Sequence, residues 1–297
     1  MKLRTRFAPS PTGHLHVGNG YSALICQQWA EKNGAELLLR IEDIDHTRCR
    51  NEFVPDMLED LRWLGFTWHG EVRHQSDYLT DYHEALVRLQ QLGVIYPCFC
   101  SRSHIRAEIE RMGLAPPTSD EADPYPGICR DMDSPRHRHR MQHEAFAWRL
   151  DMAAAARLID KTLAWRDSQG HHHPVDPFSH GDVVIGRKDI GISYHLAVIV
   201  DDAIQGMTHV IRGKDLVAST GIHRLLQALL DLPDPVYIHH DLLHDEQGRK
   251  LAKRHGSPTL RQLRDMGADP GHLRDVLLGS STGDIWSTEK FLGMGLA

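Results

Sequence analysis

Two groups of residues in this chain have types and spacings suited to chemistry. The first is the stretch Arg6-Phe7-Ala8-Pro9-Ser10-Pro11-Thr12-Gly13-His14-Leu15-His16-Val17-Gly18-Asn19. Two prolines and a glycine stop a short apolar run there, and a helical pattern begins almost at once. A strand-to-helix corner of this kind gathers unpaired backbone N–H groups at the positive end of a helix dipole, where a nucleotide phosphate is stabilised. Gly18 and Gly20 lack a Cβ, which leaves room for a base or a phosphate to approach the backbone. His16 adds a side-chain donor for phosphate oxygens, and Arg6, at the end of the strand, can hold a carboxylate through two parallel hydrogen bonds. The second group is Cys98, Cys100 and Cys129, three thiolates suited to a tetrahedral zinc ion. A fourth ligand is required, and His104, Asp123, Tyr125 and His137 are all of suitable type. With four protein ligands the ion has no open position, so its role is structural.

The elements that must position these residues follow from periodicity and stop signals. Val17, Tyr21, Leu24, Ile25 and Trp29 recur at helical spacing up to Asn33-Gly34, a helix stop. The run Leu37-Leu38-Leu39-Arg40-Ile41 reads as a continuously apolar, buried parallel strand. Strand, helix and strand in this order form a βαβ unit, whose ligands sit at the carboxyl ends of the strands. Glu42, Asp43 and Asp45 lie at that edge, and for Asp43 and Asp45 a solvated turn is expected. Helical patterns follow around Phe53, Met57, Leu61 and Leu64, and from Ser76, as N-cap, through Tyr82, Leu86 and Leu89 to Gly93. Val94 to Tyr96 reads as a strand leading into Cys98. From Ser101 to His143 a charged helix, a polar turn-rich segment and the basic run Arg136 to Arg140 mark an insertion. Strand-like runs return at 147–150, 182–185 and 210–212, and helical patterns at 219–230 and 259–278. Three adjacent histidines, His171 to His173, converge poorly on one ion in a polar loop.

Composition limits the classes available. The chain has 297 residues, 41% of them apolar, enough for one large domain or two modest ones. A formal charge of −6 does not mark a nucleic-acid binder, although a local basic stripe can supply phosphate contacts on an acidic protein. No apolar run approaches bilayer length, so a soluble cytoplasmic protein without membrane contact is expected. Five cysteines are too few and too unevenly placed for a disulfide framework.

The Arg6 to Asn19 stretch resembles the opening of class I aminoacyl-tRNA synthetases of the glutamyl type, with His16-Val17-Gly18-Asn19 where that class carries its HIGH signature. Far downstream, Lys250-Leu251-Ala252-Lys253-Arg254 resembles the partner KMSKS loop, and Tyr194 to Asp202 resembles the family's YHLAVVVDD segment. The resemblance implies an α/β fold: a Rossmann-type domain with a parallel sheet over 1–97 and 147–240, a zinc-binding insertion at 98–146, and the KMSKS-like loop with a helical region at 241–297. It implies ATP with Mg2+ as the energy source, His16, Lys250 and Lys253 as catalytic residues, and Gly18 and Asn19 as further ATP contacts. It also implies a glutamate pocket of Arg6, Ala8, Ser10, Glu42, Tyr194 and Arg212, with Arg6 anchoring the side-chain carboxylate and Glu42 the α-amino group. Ala252 departs from the serine usual in the loop, which removes a hydroxyl donor and spares both lysines.

Tyr125-Pro126-Gly127-Ile128-Cys129 matches the YxxxC that accompanies CxC in short glutamyl-type synthetases, so the resemblance selects Tyr125 to complete Cys98, Cys100 and Cys129. Little chain follows Arg254, whereas full-length relatives continue into an anticodon-binding region. The short members transfer activated glutamate to queuosine at the wobble position, and the implied partner is therefore the anticodon stem-loop of queuosine-containing tRNA(Asp), met by a monomer, with activation independent of tRNA. The alternatives are a minimal enzyme charging a tRNA 3′ end, a ligase with a non-RNA acceptor, and a catalytically inactive tRNA-binding protein.

Overall fold

The computed structural model describes residues 2–112, 125–130, 132, 134–159, 162–245, 251, 257–279 and 285–286; Asp123, Lys250, Ala252 and Lys253 lie outside them. β1 (Arg4–Phe7) and β2 (Glu36–Ile41) run parallel, Arg6 opposite Leu38, and are joined by α1 (Val17–Asn33). Gly34 ends α1 in the left-handed conformation, φ 59°, with its N–H directed to the Ala30 and Glu31 carbonyls. A Cβ would strain that geometry, which is why the Asn33-Gly34 stop works.

Two expectations for this half need correction. The run 37–41 is not uniformly apolar, because Arg40 within it is fully buried and ion-paired. Asp43 and Asp45 are buried rather than solvated. Asp45 accepts from Thr47 and pairs with Arg48 and Arg187. Asp43 accepts the N–H and the hydroxyl of Ser76, both at 2.8 Å. Ser76 is thereby withdrawn from the capping role expected of it and sits in a 3-10 turn, Gln75–Tyr78.

After β2 come α2 (Phe53–Trp63), the short strand β3 (Arg73–His74) beside β2, and α3 (Leu79–Gln91). β4 (Ile95–Cys98) leads to α4 (Arg102–Arg111) and α5 (Ser134–Met141), and then come β5 (Ala147–Leu150) and α6 (Met152–Leu158). β6 (Ala164–Asp167), β7 (His172–Pro174) and β8 (Val184–Gly186) follow. β4, β5 and β8 form a separate antiparallel sheet, so the strands expected near 147 and 182 do not rejoin the parallel one. The parallel sheet resumes with β6, β9 (His209–Gly213) and β10 (Val236–His240), in the order β6-β10-β9. Between β8 and β9 lies α7 (Tyr194–Ile204), buried continuously from Leu196 to Asp202. α8 (Val217–Leu229) connects β9 to β10.

β1 joins the two ladders. Thr208, just before β9, donates its N–H to the Arg4 carbonyl at 3.0 Å, and its side-chain Oγ1 accepts the Arg4 N–H at 2.8 Å. β1 thus has β2 on one side and β9 on the other, and the strand order reverses there. Open α/β sheets bind ligands beyond the carboxyl ends of strands at such a switch point.

β11 (His244–Asp245) pairs with β12 (Ile285–Trp286), and α9 (Leu260–Asp265) and α10 (Pro270–Leu278), capped by Thr259 and Asp269, lie between them in sequence. One apolar core unites α1, α2, α9 and α10 through Leu24, Met57, Leu64, Leu260 and Leu273. A second unites α3, α7 and α8 through Tyr82, Leu89, Leu196, Ile199 and Leu225. The insertion has only a small cluster built on Phe99, Ile105 and Ile109. Among the described residues no helix is long and apolar enough to cross a membrane.

Candidate active site

The corner after β1 is shaped by capping. His16 is the N-cap of α1: its Nδ1 accepts the Gly18 N–H at 3.1 Å, while Asn19 Oδ1 accepts the His16 N–H at 3.1 Å. Acceptance at Nδ1 places the proton of a neutral ring on Nε2, the donor form a phosphate oxygen needs. A Cβ on Gly18 would lie 2.9 Å from His16 Cε1, so this glycine makes room for the histidine ring. Gly20 serves packing: its missing Cβ is replaced by Leu260 and Leu64 methyls at 3.1 and 3.2 Å, which leaves no space for a ligand.

A cavity of about 220 Å³ opens here, lined by His16, Gly18, Asn19, Gly213, His240 and Leu251. Its walls come from the first turns of α1 and from the carboxyl ends of β9 and β10 with the loops that follow them. The two flanks of segment 252–256 are fixed to the same corner. Leu251 lines the cavity and donates to the Leu243 carbonyl at 2.8 Å. On the other side, Val17 donates to the Pro258 carbonyl at 3.1 Å, and Leu260 to that of Leu15 at 2.8 Å.

A second cavity, of about 170 Å³, holds Ser10, Glu42, Asp45, Gln75, Arg187 and Tyr194. The Glu42 N–H donates to the Pro9 carbonyl at 3.0 Å, which ties the turn after β2 to the Ala8–Ser10 stretch. Behind this cavity is a buried ion network. Arg6 donates through Nε and one terminal nitrogen to Asp202 at 2.9 and 3.3 Å. Arg40 reaches Asp202 at 2.9 Å, Glu42 at 3.2 Å and Asp201 at 3.5 Å. Asp201 also accepts from Arg73, Gln75 and Tyr82 at 2.8 to 2.9 Å. Burial opposes charge on Arg6 and Arg40, and pairing with the acids overcomes it. Asp202 is held below its ordinary value by Arg6 and Arg40 against the pull of burial. Glu42 is pushed up because burial outweighs Arg40 and Arg6.

Arg212, on β9, differs. It is buried, and its guanidinium is held by neutral groups: Thr220 Oγ1 at 2.8 Å, His223 Nδ1 at 3.0 Å and His239 Nε2 at 3.4 Å, with the Tyr237 ring 5.2 Å away. Among the described residues no carboxylate lies within ion-pair distance of it. The Tyr194 phenol, pushed up by burial, feels Glu42, Arg212, Arg6 and Asp202 together, so these groups share one neighbourhood.

At the insertion, the three thiols of Cys98, Cys100 and Cys129 lie within 4.8 Å of one another. Tyr125 Oη is 3.4 Å from Cys98 Sγ and 3.5 Å from Cys100 Sγ, and Cys100 Sγ is 3.6 Å from Cys129 Sγ. Metal–sulfur bonds of about 2.3 Å and metal–oxygen bonds of about 2.0 Å require tetrahedral edges of roughly 3.5 to 3.8 Å. The donor set fits a closed four-coordinate site. Of the other candidates, His137 Nε2 donates instead to the Cys129 carbonyl at 2.9 Å, and His104 lies on the exposed side of α4. Without an ion, burial pushes the Tyr125 phenol up, whereas the Cys129 thiol, through its hydrogen bond, holds Cys98 well below the ordinary thiol value.

Sequence reasoning passed over Arg40, Asp201, Asp202 and His223. A lone arginine in the apolar β2 run and an acidic pair closing the apolar α7 run were the signals available, because charge inside a buried element has to be paired. Nothing local marks His223.

The model of the class I tRNA synthetases (E and Q), catalytic domain, matches residues 2–284. A glutamyl-Q tRNA(Asp) synthetase of Rhodobacter capsulatus is 43% identical over 279 residues, 92% of this chain and 99% of that protein. The glutamate–tRNA ligase of Aquifex aeolicus is 35% identical over 281 residues, 93% of this chain but 56% of that protein. The crystal structure of a glutamate-tRNA synthetase from Elizabethkingia anophelis superposes with a TM-score of 0.77 at 26% identity, covering 98% of this chain and 65% of that one.

Proposed function

The chain belongs to the class I tRNA synthetases of the E and Q type, and on that premise we propose that it joins L-glutamate to ATP and passes the glutamyl group to queuosine in tRNA(Asp). An oxygen of the glutamate α-carboxylate attacks the α-phosphorus, the bond to the β-phosphate breaks, and pyrophosphate leaves. His16, from the corner, donates to the phosphates; Lys250 and Lys253, which neighbour Leu251 in the sequence, supply positive charge as the transition state develops. Gly18 and Asn19 shape the nucleotide side of the cleft, and Mg2+ carried by ATP clamps its phosphates.

The single observation that carries the choice of amino acid is Arg212, a buried cation that no carboxylate among the described residues pairs with. A glutamate side chain supplies that anion, and glutamine does not. Arg6, expected as the anchor of the side-chain carboxylate, is instead engaged by Asp202 through Nε and Nη2 and takes a supporting place behind Arg212, while Ala8, Ser10 and Tyr194 line the site and Glu42 takes the α-ammonium group. A queuosine hydroxyl of the wobble nucleoside then attacks the adenylate carbonyl and AMP departs. The acceptor assignment is supported by the name of a relative that this chain matches over 92% of its length.

A zinc ion held by Cys98, Cys100, Tyr125 and Cys129 would stiffen the insertion, whose apolar cluster is too small to fix it alone. Its positive charge would stabilise the phenolate that burial otherwise disfavours.

The test is glutamate-dependent ATP–pyrophosphate exchange without tRNA, then glutamate transfer to tRNA(Asp) with and without queuosine, with periodate distinguishing the wobble-base diol from the terminal ribose. Exchange without tRNA and transfer to the modified base alone are expected. Loading of the terminal adenosine would overturn the acceptor, and absence of exchange the whole function.

A further inference from the structure

Arg212 is one of the buried groups whose immediate supports have no assigned part, and the most informative of these is His223. This ring, at the buried face of α8, is only 1% exposed. Its Nδ1 is 3.0 Å from Arg212 Nη1, and its Nε2 is 3.1 Å from His195 Nδ1 on α7. The directions along this chain are forced. A guanidinium only donates, so His223 Nδ1 must accept; the ring is then neutral with its proton on Nε2, which donates to His195 Nδ1. His195 in turn carries its proton on Nε2. Burial and the facing Arg212 hold both rings in the neutral form, His195 pushed down to about 4 and His223 well below its ordinary value. The charged or titratable groups that act most strongly on His223 are Arg212 on β9, His195 on α7, Arg6 on β1 and His239 on β10.

Resting on the glutamate activation proposed above, we infer that His223, with its tautomer fixed by His195, is a positioning residue that grips Arg212 without neutralising it and so sets the preference for an anionic over an amide side chain. A carboxylate in the same place would hold Arg212 equally well and cancel the charge the substrate has to meet. An apolar residue would leave an N–H of a buried guanidinium without an acceptor, and the group would turn from its working direction to find one. A neutral imidazole avoids both outcomes, provided that its second nitrogen has somewhere to put its proton, and His195 is that place.

The test uses the full-length protein, with glutamate and glutamine binding measured by calorimetry and ATP–pyrophosphate exchange measured alongside. His223→Leu is expected to weaken glutamate binding about tenfold, leave the KM for ATP within about twofold and lower the glutamate-to-glutamine ratio. His223→Asn, whose Oδ1 can take the place of Nδ1 as acceptor, is expected to restore most of the loss. Should His223→Leu fail to fold, Thr220→Val removes another neutral acceptor of Arg212 and is expected to lower the same ratio. Equal weakening towards glutamate and glutamine, or unchanged glutamate binding, in the variant that folds would overturn the positioning role while leaving activation intact. A wild-type protein that binds no glutamate would overturn both.

Discussion

Two buried arginine sites on neighbouring strands are built on opposite plans. Arg6 on β1 and Arg40 on β2 are buried against Asp202, Asp201 and Glu42, so that several charges balance within the fold. Arg212, on β9 beside β1, has hydroxyl and imidazole partners instead. The first arrangement satisfies the folded chain by itself. The second is incomplete by one negative charge, and the difference separates an arginine that builds the fold from an arginine that waits for a substrate.

The comparison predicts how each site responds when broken. The largest loss of stability is expected from Asp202→Asn, which strips two buried guanidiniums of their shared anion and should cost about 3 to 5 kcal/mol in denaturant unfolding. A cost below about 1 kcal/mol would mean that the network is not what holds these strands. Arg212→Met should do the converse, lowering kcat/KM for glutamate in the exchange reaction by about 100-fold or more, roughly 2.7 kcal/mol of transition-state stabilisation, with the unfolding free energy unchanged or higher. If the two variants unfold alike, the distinction between the sites fails. Thr220→Asp brings a counter-ion to Arg212 and converts the second plan into the first; the KM for glutamate should rise about tenfold without loss of stability.

Asp60 provides the smallest and sharpest contrast, since it is a buried acid with the opposite sign. It is fully buried in α2, neither oxygen has a hydrogen-bond partner among the described residues, and Arg264 Nη1 is 3.4 Å away. Burial pushes its carboxyl up to about 6. Unlike an arginine, it can shed its charge. Because the folded state binds this proton more tightly than the unfolded chain does, the contribution of Asp60 is most favourable below about 4, declines as pH rises to about 6, and is constant above that. Asp60→Asn should therefore stabilise the protein by about 1 to 2 kcal/mol at pH 7 and make no such gain at pH 4, as read from paired thermal melts.

What could be read from the sequence was what is decided locally. The stop at Asn33-Gly34 needs only a left-handed residue, and the corner before α1 was marked by Pro9, Pro11 and Gly13, although the capping role of His16 was not. The donor types of the insertion were equally plain, yet Tyr125 and His137 could not be separated by chemistry alone, because only the folded chain turns one to the thiols and the other to a backbone carbonyl. Asp43 was misjudged for the same reason: its partner Ser76 lies 33 positions away and looks locally like a helix cap. The Arg40–Asp202 pair spans 162 positions. Least legible of all was the setting of Arg212, since the absence of a counter-ion among the described residues is a property of several packed elements and of no segment.

The place of β1 between β2 and β9 has a consequence for synthesis. As the chain emerges from the ribosome, β2 follows β1 after about 30 residues, but the other edge of β1 stays unsatisfied until residues 209–213 have been made. Throughout that interval the nascent half-sheet presents open backbone groups on the very strand that carries Arg6, and such edges invite pairing with other chains. Cotranslational aggregation should accordingly be most sensitive to delays placed before β9 is translated.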